Sequence, residues 1–145
     1  MKPGLAHGGD LTYRLIGLAM RVHNRLGPGL LESAYQRFLC HELTKAGIAF
    51  DQKVPIPIRC DDGTIETGYI ADIIVRQEVI IELKSVDQIH PRHESQLLTY
   101  LRLSGCPIGL LINFNTVSLT EGILRRVLTP LPAHGPAIEP TAATR

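Results

Sequence analysis

Two amphipathic helices are predicted at the start of the chain, over 11–26 and about 30–46, because apolar residues recur there every three or four positions. In the first helix these residues are Leu11, Leu15, Leu18, Val22 and Leu26. Asp10 is a candidate N-cap for the first helix, which ends at Gly27-Pro28-Gly29. Gly47 marks the end of the second helix.

After about residue 50 the apolar positions follow the period of β-strands. Val54, Ile56 and Ile58 alternate with Pro55, Pro57 and Arg59, which predicts an edge strand where the missing proline N–H groups are tolerated. Asp61-Asp62-Gly63 predicts a turn. Residues 119–128 fit either a strand or a helix, and we expect a strand. The other predicted elements are strands over about 65–75, 79–85 and 107–114 and a helix over about 91–104. The predicted order is therefore α-α-β-β-β-α-β-β.

The length and composition are those of one globular domain. The chain has 145 residues, of which 44% are hydrophobic, and we expect a single domain over 10–128. A loose N-terminus over 1–9 precedes it, and a Pro/Ala-rich tail over 129–145 is expected to be disordered. No apolar run approaches 18 residues, so no membrane span is expected. No hydrophobic segment typical of a signal peptide follows Met1.

Charge and cysteine usage narrow the function classes further. The formal net charge of +1 argues against a dedicated high-affinity nucleic-acid wrapper. Aromatic residues make up 5% and tryptophan is absent, which argues against a base-stacking platform. The three dispersed cysteines form no Cys-x-x-Cys pair, which favours a reducing cytoplasm.

Charged residues interrupt two runs that otherwise resemble core strands. Asp72 lies inside Tyr-Ile-Ala-Asp-Ile-Ile-Val, and Glu82 and Lys84 lie inside Val-Ile-Ile-Glu-Leu-Lys. Burial of an unpaired ion is costly, so two carboxylates and an ammonium in a hairpin need an explanation. A bound divalent metal ion is one.

The length of the hairpin loop decides whether the two carboxylates meet. If residues 76–78 form the loop, Asp72 stands directly opposite Glu82 and shares its face of the sheet, roughly 5 Å away. A divalent cation between them would convert their repulsion into ligation, and oxygen ligands suit Mg²⁺ or Mn²⁺. A two-residue loop at 77–78 would instead place the carboxylates on opposite faces. A further alternative is an ion pair between Glu82 and Lys84 beside a solvated Asp72.

Several motifs carry a family resemblance. Asp72 and Glu82-x-Lys84 resemble the active-site motif of the PD-(D/E)XK nuclease superfamily, with Ala71 at the position of the motif's proline. Gly29-Leu30-Leu31-Glu32-Ser33-Ala34-Tyr35 matches the motif that names the GxxExxY proteins, a small family within that superfamily. Segments 22–28, 81–86, 93–101 and 109–114 are also similar, so that the resemblance spans roughly 10–128 in consistent order.

The resemblance implies an α/β fold with a mixed central sheet flanked by helices, and a set of site residues. Asp72 and Glu82 would bind Mg²⁺ or Mn²⁺ together with the Leu83 carbonyl, and Lys84 would be the catalytic lysine. Glu32 would be an additional catalytic and metal-binding acid. A carboxylate favoured by the helix dipole is the alternative explanation for it.

The predicted third helix contributes candidate nucleic-acid-binding residues. By the same resemblance, Gln96 and Tyr100 would position the nucleic acid. They lie four residues apart on one helix face, where a polar rim beside the core is the alternative. His93 is a further candidate for a phosphate contact, and an ordinary surface histidine is its alternative.

The sequence supports two hypotheses for the function, and a third hypothesis is that the charged hairpin has only a structural role. The first is a metal-dependent nuclease acting on DNA rather than RNA. The second is a binding module for nucleic acid or protein on a nuclease-like scaffold, since fold does not secure function. We also expect self-association as a homodimer, because the predicted apolar faces are larger than one small sheet requires.

Overall fold

The computed structural model describes residues 9–128, which form a five-stranded mixed sheet with helices on both faces. The helices are α1 (Gly9–Leu26), α2 (Glu32–Lys45) and α3 (Pro91–Ser104). The strands are β1 (Phe50–Pro55), β2 (Ile58–Cys60), β3 (Gly63–Ile65), β4 (Ile70–Val75), β5 (Val79–Lys84), β6 (Ile108–Asn113) and β7 (Ile123–Val127). A short 3₁₀-helix, Leu119–Gly122, precedes β7.

The main sheet has the strand order β1-β4-β5-β6-β7. Strands β5 and β6 are parallel, and all other neighbouring pairs are antiparallel. Helix α3 connects the parallel pair, as a crossover between parallel strands requires. The mixed α/β fold class predicted from the sequence is confirmed.

Two predicted strands are each divided in the structure. The predicted 54–59 strand becomes the end of β1 and the start of β2, because the chain leaves the main sheet at Ile56 and Pro57. The predicted 65–75 strand becomes β3 and β4. Strands β2 and β3 form a separate two-stranded sheet around the Asp61-Asp62 turn, while β1 lies at the edge of the main sheet, as its prolines predict.

The helix predictions differ from the structure only at their ends. Helix α1 already includes Gly9 and Asp10, so the prediction of Asp10 as N-cap is wrong, and Asp10 instead places a carboxylate in the first turn. Residues 119–128 form the 3₁₀-helix and then β7, in agreement with the expected strand. The tail over 129–145 and residues 1–8 lie outside the described part of the chain.

The core has two parts, one on each face of the main sheet. Helices α1 and α2 cover one face, where Tyr35 of α2 stacks on Phe114 with ring centroids 4.4 Å apart. Helix α3 covers the other face through Leu97, Tyr100 and Leu101. Among residues 9–128, no helix is both long and apolar enough to cross a membrane.

Candidate active site

The hairpin between β4 and β5 has the three-residue loop that brings the two carboxylates together. Val75 pairs with Val79 and Ile73 with Ile81, so the next position in this register sets Asp72 against Glu82. Of the two loop lengths that the sequence leaves open, the structure has the three-residue loop at 76–78. The loop contains no glycine, and Arg76 and Gln77 themselves adopt left-handed φ angles of 53° and 57°.

Asp72 and Glu82 are held by main-chain amides of each other's strands. The Asp72 N–H donates to Glu82 Oε2 over 2.7 Å, and the Leu83 N–H donates to Asp72 Oδ2 over 2.8 Å. Charge-assisted hydrogen bonds of this kind are short and directional. Both carboxylates are therefore oriented by the backbone of the sheet.

The alternation of side chains changes phase at Asp72. Ala71 packs among the residues beneath α3, whereas Ile73 packs beneath α1 and α2, although residues two apart on a regular strand face the same side. The carbonyl of Asp72 accepts a hydrogen bond from Gln36 Nε2 over 3.1 Å. A buried glutamine of α2 thus stabilises the point at which the strand is distorted.

Lys53 faces Asp72 from the edge strand. Its neighbours Gln52 and Val54 pair with Ile73 and Ala71, and its Nζ lies 3.3 Å from Asp72 Oδ1. Lys53 has a left-handed φ of 54°, a conformation that costs a non-glycine residue about 1–2 kcal/mol. The ladder on either side maintains this conformation and keeps Lys53 next to the carboxylate.

Burial and mutual repulsion make the carboxylate pair electrostatically unfavourable. Glu82 is only 6% exposed, and burial together with the nearby Asp72 carboxylate raises the pKa of Glu82 to about 8. The hydrogen bond from the Asp72 amide, Lys84 and Lys53 oppose this rise in the pKa without cancelling it. The pair has the charge and oxygen donors that a divalent cation would compensate.

A cleft of about 460 Å³ opens beside Asp72. It is lined by residues from the α2 start, β1, β4 and the end of β5: Leu30, Leu31, Glu32, Ser33, Gln36, Lys53, Asp72 and Ser85. Glu32 and Asp72, which are 40 positions apart in the chain, therefore share one cleft. Leu31 is the N-cap residue of α2 and provides no side-chain cap, so the positive end of the helix dipole faces the same region.

The position of Glu32 depends on the loop before α2, and Tyr35 anchors that loop. The Tyr35 hydroxyl donates to the Gly27 carbonyl over 2.5 Å and accepts from the Leu30 N–H over 3.1 Å. Ser85 Oγ donates to the Leu30 carbonyl over 2.6 Å. Gly29 has a φ of 98°, which favours glycine. Gly29 thus forms the turn before α2, Glu32 lines the cleft, and the buried Tyr35 holds the preceding loop in place.

Lys84 ends β5 at the border of the site. It is half-buried, it is paired with Asn113 of β6, and its carbonyl accepts the Phe114 N–H over 2.9 Å. Asn113 also exchanges hydrogen bonds with the main chain of Val86. Because Lys84 is two residues after Glu82, both side chains leave the strand on the same face.

The predicted residues of α3 lie at different depths. His93 is partly buried and belongs to a capping box with His90, whose N–H donates to His93 Nδ1. Partial burial, followed by Lys84 and other nearby cations, lowers the pKa of His93, while Glu32 opposes this shift. The charges of Lys84 and Glu32 therefore influence the protonation of His93. Gln96 is half-buried.

Tyr100 is 3% exposed and packs in the core beneath α3. Burial, followed by the charge of Glu82, raises the pKa of Tyr100 to about 12. The phenol therefore stays protonated at neutral pH, and it lies in the core rather than on the surface.

The described residues fit a metal ion only through the carboxylate pair. Within residues 9–128, no group of three or more His, Cys, Asp or Glu side chains converges in a way that could hold a metal ion. A cation at Asp72 and Glu82 would therefore need main-chain oxygen, water or a shift of Glu32 to complete its coordination. Hard divalent cations such as Mg²⁺ commonly retain several waters, so two carboxylates are compatible with such a site.

Sequence reasoning missed two polar residues of the site, Gln36 and Lys53. Gln36 lies four residues after Glu32 and so shares its helix face, which is a signal that could have identified it. The partner of Lys53 depends on the β1–β4 pairing across 19 residues, and no local pattern indicates it.

Comparison with known proteins identifies the family. The sequence matches the family model of the PD-(D/E)XK nuclease superfamily over residues 9–127. The chain belongs to the PD-(D/E)XK nuclease superfamily, and its five-stranded mixed sheet flanked by helices is consistent with that fold. Nucleases of this superfamily generally use divalent metals. Searches among curated proteins and among solved structures both ended without a match.

Proposed function

We propose that this protein is a nuclease that hydrolyses DNA phosphodiester bonds with Mg²⁺ or Mn²⁺. The observation that supports it best is the Asp72–Glu82 pair, which main-chain amides orient and in which burial and the Asp72 carboxylate oppose ionisation of Glu82. Two adjacent carboxylates with a purely structural role would destabilise the protein without serving any function. The family membership supports the same reaction class.

The proposed roles follow from the positions of the side chains. Asp72 and Glu82 bind the metal, with the Leu83 carbonyl as a third ligand and Glu32 approaching from the cleft. When bound, the cation supplies charge stabilisation and acidifies its water. Lys84, on the same strand face as Glu82, orients the attacking water and stabilises the charge that develops on the phosphate.

The residues of α3 are proposed to border the nucleic acid. Gln96 and His93 are partly accessible and are suited to contacts with the sugar-phosphate backbone. Tyr100 is too buried for stacking on a base, so we propose that it positions the strand indirectly, by supporting Glu82 from the core side. In this proposal, residues 10–128 form a single nuclease domain.

Three finer assignments belong to the same proposal. The Gly29, Glu32 and Tyr35 motif supports membership of the narrower GxxExxY family. The free cysteines Cys40, Cys60 and Cys106 support a cytoplasmic location. The homodimer suggested by the apolar faces of the sequence is testable by the mass of the purified protein in solution.

Cleavage assays with matched variants test the function. Wild type, Asp72→Asn and Asp51→Asn are incubated with linear and circular DNA, single- and double-stranded, with Mg²⁺, Mn²⁺ or EDTA. Asp72→Asn keeps an oxygen for the Leu83 N–H but loses the charge, while Asp51 is an exposed residue of β1 and serves as the control. We expect metal-dependent cleavage by wild type and Asp51→Asn and none by Asp72→Asn. Equal cleavage by Asp72→Asn would refute the mechanism.

A non-catalytic binding module is the second candidate. The absence of a three-residue metal cluster within residues 9–128 favours it. A folded wild type that retains DNA with a steep salt dependence but cuts no substrate with either metal would support this second function.

A further inference from the structure

Lys53, on the edge strand β1, forms an ion pair with one of the two carboxylate oxygens of Asp72. The Leu83 N–H takes Oδ2, and the Lys53 ammonium lies 3.3 Å from Oδ1. Among the described residues, Lys53 is the only cation within 4.0 Å of this carboxylate. The left-handed φ of Lys53 is maintained by paired residues on both sides, so its backbone position is well determined.

The side chain of Lys53 is nevertheless free to move. It is 63% exposed, and exposed ion pairs hold their partners weakly. Lys53 also lines the cleft that contains Glu32 and Ser85. A lysine has four flexible carbons between its backbone and its charge, so the ammonium can leave Asp72 and enter the cleft without a change in the strand.

We propose that Lys53 is a displaceable counter-ion: it neutralises Asp72 until a divalent cation binds there, and it then contacts a backbone phosphate of the nucleic acid. The nucleic-acid step rests on the proposed nuclease function. The metal step requires only that Asp72 and Glu82 bind a divalent cation.

Removal of the Lys53 charge should have opposite effects on metal binding and on nucleic-acid binding. An ammonium and a divalent cation repel each other at a single carboxylate, so Lys53 competes with the metal and weakens its binding. Once displaced, the same charge lies in a cleft beside the metal and attracts a phosphate. Loss of the Lys53 charge should therefore strengthen metal binding and weaken nucleic-acid binding. A lysine that merely stabilised the fold would not produce this opposition.

Mn²⁺ binding, measured by electron paramagnetic resonance without nucleic acid, tests the first step. The variants are Lys53→Gln, Lys53→Arg as the charge-retaining form, and Lys45→Gln as the control. Lys45 is matched because it is an exposed lysine paired with a buried carboxylate, that of Glu42. We expect the Kd for Mn²⁺ to fall at least threefold in Lys53→Gln and to stay unchanged in the other two. An unchanged or higher Kd in folded Lys53→Gln, or no Mn²⁺ binding by wild type, overturns the proposal.

The salt dependence of duplex DNA binding tests the second step. With Ca²⁺ as a cation chosen to allow binding without cleavage, wild type and Lys53→Arg should have a log Kd–log[salt] slope about 0.9 steeper than Lys53→Gln, as expected for one phosphate contact. In EDTA the slopes should be equal, because Lys53 then remains on Asp72. Equal slopes in Ca²⁺ overturn the phosphate contact.

The two measurements also separate this inference from the proposed function. Wild type that binds Mn²⁺ more weakly than Lys53→Gln but cuts no DNA would support the displacement and refute the nuclease. Wild type that cuts DNA with a Lys53→Gln variant unchanged in both assays would support the nuclease and refute the role of Lys53.

Discussion

Asp72 and Glu82 are linked across the β4–β5 hairpin by a 2.7 Å hydrogen bond from the Asp72 N–H to Glu82 Oε2. The neighbouring Leu83 N–H returns a 2.8 Å bond to Asp72 Oδ2. Each acid thereby replaces part of the regular strand pairing with a bond to a carboxylate. The arrangement orients both side chains but leaves the buried Glu82 carboxyl next to the Asp72 carboxylate, which makes ionisation of Glu82 unfavourable.

Substitution of Glu82 by glutamine should remove a pH dependence of stability. The pKa of Glu82 is raised from 4.5 to about 8, so between these values the folded protein keeps a proton that the unfolded chain releases. The free energy of unfolding of the metal-free protein should therefore fall as pH rises from about 5 to about 8, with this contribution constant above that. Glu82→Gln should gain stability relative to wild type over this window, on the order of a few kcal/mol at pH 8.

Urea denaturation in EDTA at pH 5, 6.5 and 8 measures this effect. The isosteric amide of Glu82→Gln can still accept the Asp72 N–H, so packing is preserved. Glu66→Gln, at an exposed position, is the control and should follow the wild-type curve. A constant stability difference between Glu82→Gln and wild type across the three pH values would contradict the buried-proton explanation.

Loss of Lys84 should remove cleavage while the protein stays folded. Lys84→Ala eliminates the ammonium that is proposed to stabilise charge on the phosphate, and the removal of one such group costs about 10²–10³ in rate in comparable cases. Single-turnover cleavage and DNA affinity are measured separately, with Lys45→Ala as the control. We expect rate loss with an affinity within a few-fold of wild type. Undiminished cleavage by folded Lys84→Ala would exclude it as the catalytic lysine.

Glu32→Gln distinguishes an active-site acid from a favourable helix charge. The dipole interaction of a first-turn carboxylate contributes about 0.3–1 kcal/mol to stability, and both explanations predict this small loss. Only a role at the metal also predicts weaker Mn²⁺ binding and slower cleavage. Chemical denaturation, Mn²⁺ titration and cleavage rates on the same samples separate them. A variant with normal metal binding and normal cleavage would assign Glu32 to the helix dipole alone.

Tyr35→Phe should weaken the loop that places Glu32 in the cleft. The substitution removes the hydroxyl that bonds the Gly27 carbonyl and the Leu30 N–H but keeps the stacking on Phe114. Loss of these partners should cost about 1–3 kcal/mol of stability and reduce cleavage. Denaturant unfolding and cleavage rates measure both effects. Tyr13→Phe, at a position that is 81% exposed, should change neither, and equal behaviour of the two variants would argue against the anchor.

The elements that were predicted well are those with local causes. Apolar residues at helical spacing identified α1 and α2, whereas the length of the loop between β4 and β5 stayed open until the strand pairing was known. The division of the two predicted strands was missed, because the apolar alternation continues through Ile56 and Ile58 while the chain leaves the sheet. Asp10 was misplaced because the helix begins one residue before it.

The contacts that Gln36 and Lys53 make with Asp72 could not be predicted from local sequence patterns. Gln36 reaches the Asp72 carbonyl because α2 packs on one face of the main sheet, and Lys53 reaches its carboxylate because β1 pairs with β4. These contacts join residues 36 and 19 positions apart. Neither hydrophobic period nor turn chemistry carries information about them.

The order of residues was sufficient for the fold class and for choosing Asp72, Glu82 and Lys84 as candidate site residues, since periodicity and local motif are properties of neighbouring residues, but it left the length of the hairpin loop open. Only the packed structure determined that Glu32 shares a cleft with Asp72, that Tyr100 is buried beneath α3, and that Lys53 pairs with Asp72. Such relationships depend on how helices and edge strands dock, which is decided by the joint burial of apolar surface from distant segments. The electrostatic state of Glu82 has the same origin, because its raised pKa is a consequence of that burial.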